Sequence, residues 1–125
     1  MVLLSAVQYA DADSGGNTPG SNGSVENLNT GKFFSTIQAA VDAASDGATI
    51  VVYPGTHNEN VDVYRQLTIR SYSGNPLDTV FQVSSPDDRV FYVTANYVKI
   101  SWLTIRGANK NAPYSGIYLA GKGLL

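Results

Sequence analysis

The sequence predicts an all-β protein, a parallel β-solenoid segment whose open end is covered by one short helix. The helix is predicted within residues 33–47, with Ser35 as the N-cap and Gln38 three residues later as its capping-box partner. Asp46-Gly47 supplies the stop, because glycine accepts the left-handed conformation that ends many helices. After this segment the chain holds only short β runs and turn residues. One amphipathic helix ahead of short strands is typical of a cap on a solenoid core.

The predicted helix has a narrow apolar stripe on an Ala-rich background, which favours helix formation. The stripe consists of residues at helical spacing: Ile37, Ala40, Val41 and Ala44. Because these side chains are small, we expect the helix to pack closely on a flat apolar surface.

The 125 residues are predicted to form a single domain in three parts. Residues 1–32 contain a first strand, Ala6–Ala10, and a long surface loop rich in Gly, Asn and Ser. Residues 33–47 hold the capping helix. Residues 48–125 are expected to form about three windings of the solenoid.

The strands after the helix are predicted to stack in two columns. The first column contains residues 49–53, 67–70, 90–93 and 116–119, and the second contains residues 61–63, 80–83 and 98–100. Successive strands of the first column start 18, 23 and 26 residues apart, which is the length of one solenoid winding. The competing architecture is an antiparallel β-sandwich, which short strands with frequent turns also suit but which gives the early helix no evident use.

Alternation along the strands predicts which side chains face the core. The inward set is Ile50, Val52, Leu67, Ile69, Phe91, Val93, Ile117 and Leu119. The outward set is Val51, Tyr53, Thr68, Arg70, Tyr92 and Tyr118. Tyrosine therefore recurs on the outward side.

Three of these outward residues, Tyr53, Tyr92 and Tyr118, are the predicted carbohydrate-binding site. All three fall in the first column. Aromatic faces stack on sugar rings through apolar contact, and a tyrosine hydroxyl can bond to sugar oxygens. A cross-strand aromatic ladder that only shields the sheet is the alternative interpretation.

Composition excludes several classes of function. The net charge of -2 and the 14% of charged residues give no electrostatic basis for binding nucleic acid or an anionic membrane. No apolar run is long enough to span a bilayer. The chain has no cysteine, so neither a disulfide framework nor a thiolate metal site is available.

Several segments resemble a known family. Residues 35–44, 46–52 and 54–61 are similar to the N-terminal cap and first coil of right-handed parallel β-helix proteins of the pectin lyase-like superfamily, and residues 98–106 and 115–119 resemble their later repeats. Within that superfamily the likeness is to surface proteins with carbohydrate-associated β-helix repeats. The resemblance implies a right-handed parallel β-helix and an extracellular or cell-surface location. Such helices usually have more coils, so the chain is expected to be an N-terminal segment of a longer protein.

The segment is predicted to be non-catalytic. Polysaccharide lyases of this fold need a basic residue and acids that hold calcium, and nothing in the spacing brings such residues together. The available types are Arg70, Arg89, Arg106, Asp62, Asp87 and Asp88. The only histidine, His57, is predicted to lie exposed in a turn without a Ser or Cys partner.

One weak metal site is predicted. Asp11 and Asp13 place two carboxylates at alternate positions, as calcium-binding loops do, but the later acidic ligand of a full calcium loop is missing. A solvated turn is the simpler interpretation.

The C-terminal end is expected to drive self-association. The sequence after Leu119 shows no second cap, so the last winding is predicted to expose unpaired strand edges and part of the apolar core. We expect a homodimer through this end, by two-fold contact or by exchange of the last strand.

These observations predict a structural segment of a surface protein, with polysaccharide as the candidate ligand. One alternative is the N-terminal portion of a polysaccharide lyase or glycoside hydrolase whose active site lies in later coils. Another is an adhesion or envelope module with protein partners.

Overall fold

The computed structural model describes residues 2–9, 24–82, 89–106 and 116–119. Their structure is mainly β, as predicted. The elements in chain order are β1 (Val2–Tyr9), β2 (Val25–Asn27), β3 (Lys32–Phe34), α1 (Ile37–Ala43), β4 (Thr49–Val52), β5 (Gly55–Asn58), β6 (Val61–Val63), β7 (Thr68–Ser71), β8 (Thr79–Gln82), β9 (Phe91–Val93), β10 (Val98–Arg106) and β11 (Ile117–Leu119).

The strands form two sheets. The large sheet has the strand order β3-β2-β4-β7-β10-β8-β5, and β1 also pairs with β10. The small sheet has the order β11-β9-β6. Strand β2 is antiparallel to both β3 and β4, so the large sheet is mixed. Among the described strands that follow α1, every pair is parallel.

The predicted columns are correct in part. Strand β4 pairs in parallel with β7, with Ile50 opposite Ile69, and β9 pairs in parallel with β11. However, these two pairs lie in different sheets. The second column is wrong, because β6 pairs with β9, β8 pairs with β5, and the start of β10 pairs with β7. The predicted columns did not include β5, a strand with few apolar residues. Without it, the later strands were assigned to the wrong partners.

One apolar core joins both sheets and α1. The predicted inward residues are buried, except that Leu119 is partly buried against the core. The apolar stripe of the helix is buried in the same cluster, as predicted. The outward prediction for Val51 is wrong: its side chain is fully buried, because β2 pairs with β4 and makes it an interior strand.

Helix α1 begins and ends differently from the prediction. Thr36, and not Ser35, is the N-cap, and its Oγ1 accepts a hydrogen bond from the Ala39 amide at 3.1 Å. The capping box predicted for Gln38 therefore does not form. The helix ends at Ala43, and Gly47, with φ of 88°, lies in the turn that leads to β4.

Glu59, between β5 and β6, binds the N-terminus of the helix. Its Oε2 accepts from the Ile37 amide at 2.8 Å, and its Oε1 accepts from the Gln38 amide at 3.2 Å. These amides are among the four that a helix cannot satisfy internally. The carboxylate also complements the positive end of the helix dipole. Glu59 therefore fixes α1 to the strands.

Gln38 protects the edge of the small sheet. Its Oε1 accepts from the Asp62 amide at 2.8 Å, and its Nε2 donates to the Asp62 carbonyl at 3.3 Å. The side-chain amide thus bonds the backbone of β6 as a neighbouring strand would.

Further along the helix, Asp42 accepts a hydrogen bond of 2.6 Å from the Tyr64 hydroxyl, and this bond lowers the pKa of Asp42.

The predicted loop over residues 11–32 contains structure that the sequence did not indicate. Strand β2 and the start of β3 lie within it, and Val25 is fully buried. The backbone of β2 covers the edge of β4, and the side-chain oxygen of Asn29 accepts from the Thr49 amide at 3.0 Å. A strand forms here and not a loop because β2 shields an edge of β4 that would otherwise be unpaired.

Strand β10 contains Trp102, whose φ of 61° is uncommon for a bulky residue. Before this position β10 pairs with β7, and after it with β8. Strand β1 pairs in parallel along β10, from Val2 opposite Val98 to Tyr9 opposite Ile105. Strand β1 thereby covers an edge of β10, whereas the open end was predicted at residues 116–119 and stays a prediction. Residues 120–125 lie outside the described part of the chain.

Replacing Ile69 with Ala tests this packing. Ile69 is fully buried on β7, whereas the neighbouring Thr68 is half-buried. We expect Ile69→Ala to lower the free energy of unfolding by roughly 2–5 kcal/mol, the usual range for a large-to-small core substitution. Urea denaturation of both variants is the measurement, with Thr68→Ala as the control. Equal losses at the two positions would contradict the assigned facing.

Candidate functional site

Three aromatic rings stack on the surface of the large sheet. The Tyr53 and Tyr72 ring centroids are 4.4 Å apart with 23° between the planes. The Phe33 and Tyr53 centroids are 6.0 Å apart at 27°. Phe33, Tyr53 and Tyr72 are called the aromatic stack below. Phe33 is 38% exposed and Tyr72 is 57% exposed, so solvent reaches both ends of the stack.

The parallel register of the sheet builds the aromatic stack. Val52 lies opposite Ser71, so the residues that follow them, Tyr53 and Tyr72, come side by side. The Tyr72 amide continues the ladder by donating to the Val52 carbonyl at 2.8 Å. Phe33 is added through β2, whose Glu26 lies opposite both Phe33 and Val51. The surface is thus positioned by backbone pairing of strands that are distant in sequence.

Glu26 adds a carboxylate beside the central ring. The Tyr53 hydroxyl donates to Glu26 Oε1 at 2.7 Å. This hydrogen bond, together with burial and the negative charge of Glu26, raises the pKa of Tyr53 to about 12. Tyr53 is therefore neutral at ordinary pH and is held in a fixed orientation. The site combines apolar ring surface with a hydroxyl and a carboxylate oxygen, which are the groups that contact the faces and hydroxyls of sugars.

Trp102, on β10, is a further exposed aromatic residue. It is 44% exposed, and it directly follows Ser101, which lies opposite Arg70 on β7. A positive φ at a bulky residue costs of order 1–3 kcal/mol and persists only where the surrounding structure enforces it. Here Trp102 marks the point at which β10 changes partner.

The structure does not bring the three predicted tyrosines together. Tyr53 lies in the aromatic stack, but Tyr92 lies on β9 in the small sheet, with the Arg89 guanidinium 5.3 Å from its ring centroid. Tyr118 lies opposite Tyr92 in register, and its side chain is outside what the structure describes. The predicted single face of Tyr53, Tyr92 and Tyr118 is therefore wrong.

The sequence interpretation missed Phe33, Tyr72 and Trp102. One signal was available for Tyr72. It lies just after residues 67–70, which were predicted to stack on residues 49–53, the strand that contains Tyr53. Phe33 gave no such signal, since its strand reaches the sheet only through β2, in the predicted loop. Asp11 and Asp13, the predicted calcium ligands, lie outside the described residues, as do Asp87 and Asp88.

Of the residues considered above for catalysis, three lie in described strands, and these strands belong to two different sheets. Arg70 and Arg106 lie in the large sheet, and Asp62 lies in the small sheet, where its backbone is bonded to Gln38. The Arg106 Nη2 donates to Gln82 Oε1 at 2.5 Å. In the part of the chain that the structure describes, no cluster of three or more His, Asp or Glu side chains is arranged to hold a metal ion.

His57 differs most from its prediction. It is 7% exposed on β5 and not exposed in a turn. Its ring stacks on Phe81 with 5.4 Å between centroids, and its Nε2 lies 3.0 Å from the Tyr53 carbonyl oxygen. That distance makes Nε2 the donor in the neutral ring, because a carbonyl only accepts. Burial lowers the pKa of His57, opposed by this hydrogen bond and by the charge of Glu59.

Comparison with known proteins gives one informative relative. No protein-family model and no solved structure matches the chain. Over 97 residues, 76% of this chain, the sequence is 35% identical to a protein named cell surface glycoprotein from Methanothermus fervidus. The chain spans 15% of the length of that protein. The predicted location at the cell surface is confirmed by this relative.

The structure also bears on membrane insertion. None of the helices within the described ranges is long and apolar enough to cross a bilayer.

His57 should make stability fall in mild acid. Its folded-state pKa lies below the unfolded value of 6.5, so the unfolded chain binds more protons as the pH falls through this range. Its contribution to stability is therefore complete above pH 6.5 and is lost as the pH drops toward the folded pKa. Urea denaturation at about pH 7.5 and about pH 5.5 should show a lower free energy of unfolding in the more acidic buffer.

The matched control is His57→Phe, which keeps a ring against Phe81 but cannot titrate. The variant should be less stable at both pH values, because the Tyr53 carbonyl loses its donor. It should also lose the part of the pH dependence that His57 supplies. If the free energy of unfolding of His57→Phe differs between the two buffers as much as that of the unchanged chain, the pH dependence comes from other titratable groups.

Proposed function

We propose that this chain is a parallel β-helix module in the scaffold of a cell-surface protein. The parallel pairing of the strands after α1 supports this architecture, as does the single core shared by both sheets. Helix α1 supports it too, because it lies over that core as an end cap would. The resemblance to pectin lyase-like proteins agrees with this geometry, and the similarity to a cell surface glycoprotein agrees with the location.

The second part of the proposal is that the aromatic stack binds a polysaccharide. The carrying observation is the exposed stack of three rings, 4.4 Å and 6.0 Å apart, with a carboxylate bonded to the central tyrosine. Tyr72 lies at the end of the stack and is more than half exposed, so a sugar ring can lie against it. The Glu26 carboxylate, close to the Tyr53 hydroxyl, is placed to accept from a sugar hydroxyl. Repeated rings suit an extended chain of sugar units better than a single monosaccharide.

Tyr72→Ala is the test of the aromatic stack. A glycan array first identifies an oligosaccharide that the unchanged chain retains, and calorimetric titration then measures its dissociation constant. We expect Tyr72→Ala to weaken binding about fivefold or more, because a stacked aromatic ring contributes on the order of 1 kcal/mol beyond simple burial.

Two controls separate the possible faces. Tyr97→Ala removes a similarly exposed tyrosine, 60% exposed, that lies outside the aromatic stack, and it should leave affinity unchanged. Tyr92→Ala tests the face predicted from the sequence. If only Tyr92→Ala weakens binding, the site lies on the small sheet. If Tyr72→Ala binds with full affinity, the aromatic stack is not a binding site, and only the structural role of the chain stands.

A further inference from the structure

Strand β1 occupies an unusual place in the large sheet. It pairs with β10 along nearly its whole length, and β10 is the one described strand with which it pairs. Strands β7 and β8 together occupy the other side of β10. Because a strand has only two pairing edges, β1 covers the one that β7 and β8 leave open. If β1 departed, that long edge would be left without a partner.

The pairing of β1 also differs from the others in the distance along the chain that it closes. Strand β7 pairs with β4 and β8 with β5, which are close neighbours in sequence. In contrast, the β1–β10 pair joins Val2 to Val98 and encloses most of the chain. The entropy cost of closing a loop rises with its length. A strand from a second copy would make the same hydrogen bonds without closing this loop, although association carries its own entropy cost.

The connection between β1 and β2 is long enough for exchange. From β2 the sheet order runs through β4, β7 and β10 to β1, which places β1 about 19 Å from β2 at ~4.8 Å per strand. Residues 10–24 join the two strands, and a segment of this length can span up to about 50 Å. The link therefore permits β1 to reach β10 of its own chain or of a neighbouring chain.

We propose that β1 is a donor strand that pairs with β10 of a second copy of this chain. The exchange is reciprocal: each copy gives β1 to the other and receives β1 in return, so the contact closes as a dimer. The interface reuses the register from Val2 opposite Val98 to Tyr9 opposite Ile105, and no new complementary surface is needed. This inference rests on the β1–β10 pair, independently of the sugar-binding proposal. It differs from the contact predicted through the C-terminal end, which stays a prediction.

Disulfide trapping with isotope labels tests the exchange. Ser5 lies opposite Ser101 in the β1–β10 register, and the chain has no native cysteine to interfere. Neighbouring strands are about 4.8 Å apart, within the Cα separations of ~4.4–6.8 Å that disulfides bridge. The Ser5→Cys/Ser101→Cys double variant is prepared labelled and unlabelled. The two are mixed in denaturant, refolded together at high concentration, oxidised and digested for mass spectrometry.

The matched control bridges a pair inside the sheet. Arg70 lies opposite Ser101 in the β7–β10 register, so Arg70→Cys/Ser101→Cys should give disulfides only within one chain. The exchange predicts mixed-isotope disulfides between positions 5 and 101, up to roughly half of the total when every chain exchanges. It also predicts a concentration-dependent dimer of the unchanged chain in sedimentation.

Two results would overturn the proposal. In one, every disulfide between positions 5 and 101 joins residues of the same chain, and the unchanged chain remains a monomer at high concentration. In the other, mixed-isotope disulfides form equally in both double variants, which would reflect general misfolding and not exchange of β1.

Discussion

The attachment of α1 to the strands through Glu59 is the interaction on which this structure most depends. A helix of seven residues is too short to be stable in isolation, so its position must be fixed by tertiary contacts. Glu59 supplies two hydrogen bonds at the N-terminus, and Thr36 supplies a third. Gln38 then joins the helix to the edge of β6. With these bonds in place, the apolar stripe of the helix packs on the core.

The same parallel register that builds the core also builds the exposed surface. Ile50 and Ile69 are opposite each other inside, and Tyr53 and Tyr72 follow the same two strands outside. An exposed aromatic surface made in this way needs no loop of its own, because strand pairing alone places the rings side by side. The proposed contact with polysaccharide depends on these exposed rings and on the location at the cell surface.

The sequence predicted the β-rich class, the helix and its buried stripe, because periodic apolar residues are a direct signal of packing. It failed where long-range pairing decides the structure. Strand β5 contains Gly55, His57 and Asn58 and has no strand pattern, yet its pairing with β8 buries His57. Trp102 divides one apolar run between two partner strands, which no periodicity indicates. Of the three rings in the aromatic stack, only Tyr53 was predicted. Phe33 and Tyr72 meet it through strand pairing, which the sequence did not indicate.

The most direct test of this account is hydrogen exchange in Glu59→Ala, compared with Asn58→Ala at the neighbouring exposed position. A hydrogen bond to a charged group stabilises by about 1.5–3 kcal/mol, and Glu59 makes two, so its removal should lower the free energy of unfolding by at least about 1.5 kcal/mol. Exchange should accelerate throughout α1 and also in β6, to which Gln38 is bonded. Asn58→Ala should leave both protected. If Glu59→Ala accelerates exchange only at Ile37 and Gln38, while the rest of α1 and β6 stays protected, the helix is held by other contacts and the account is wrong.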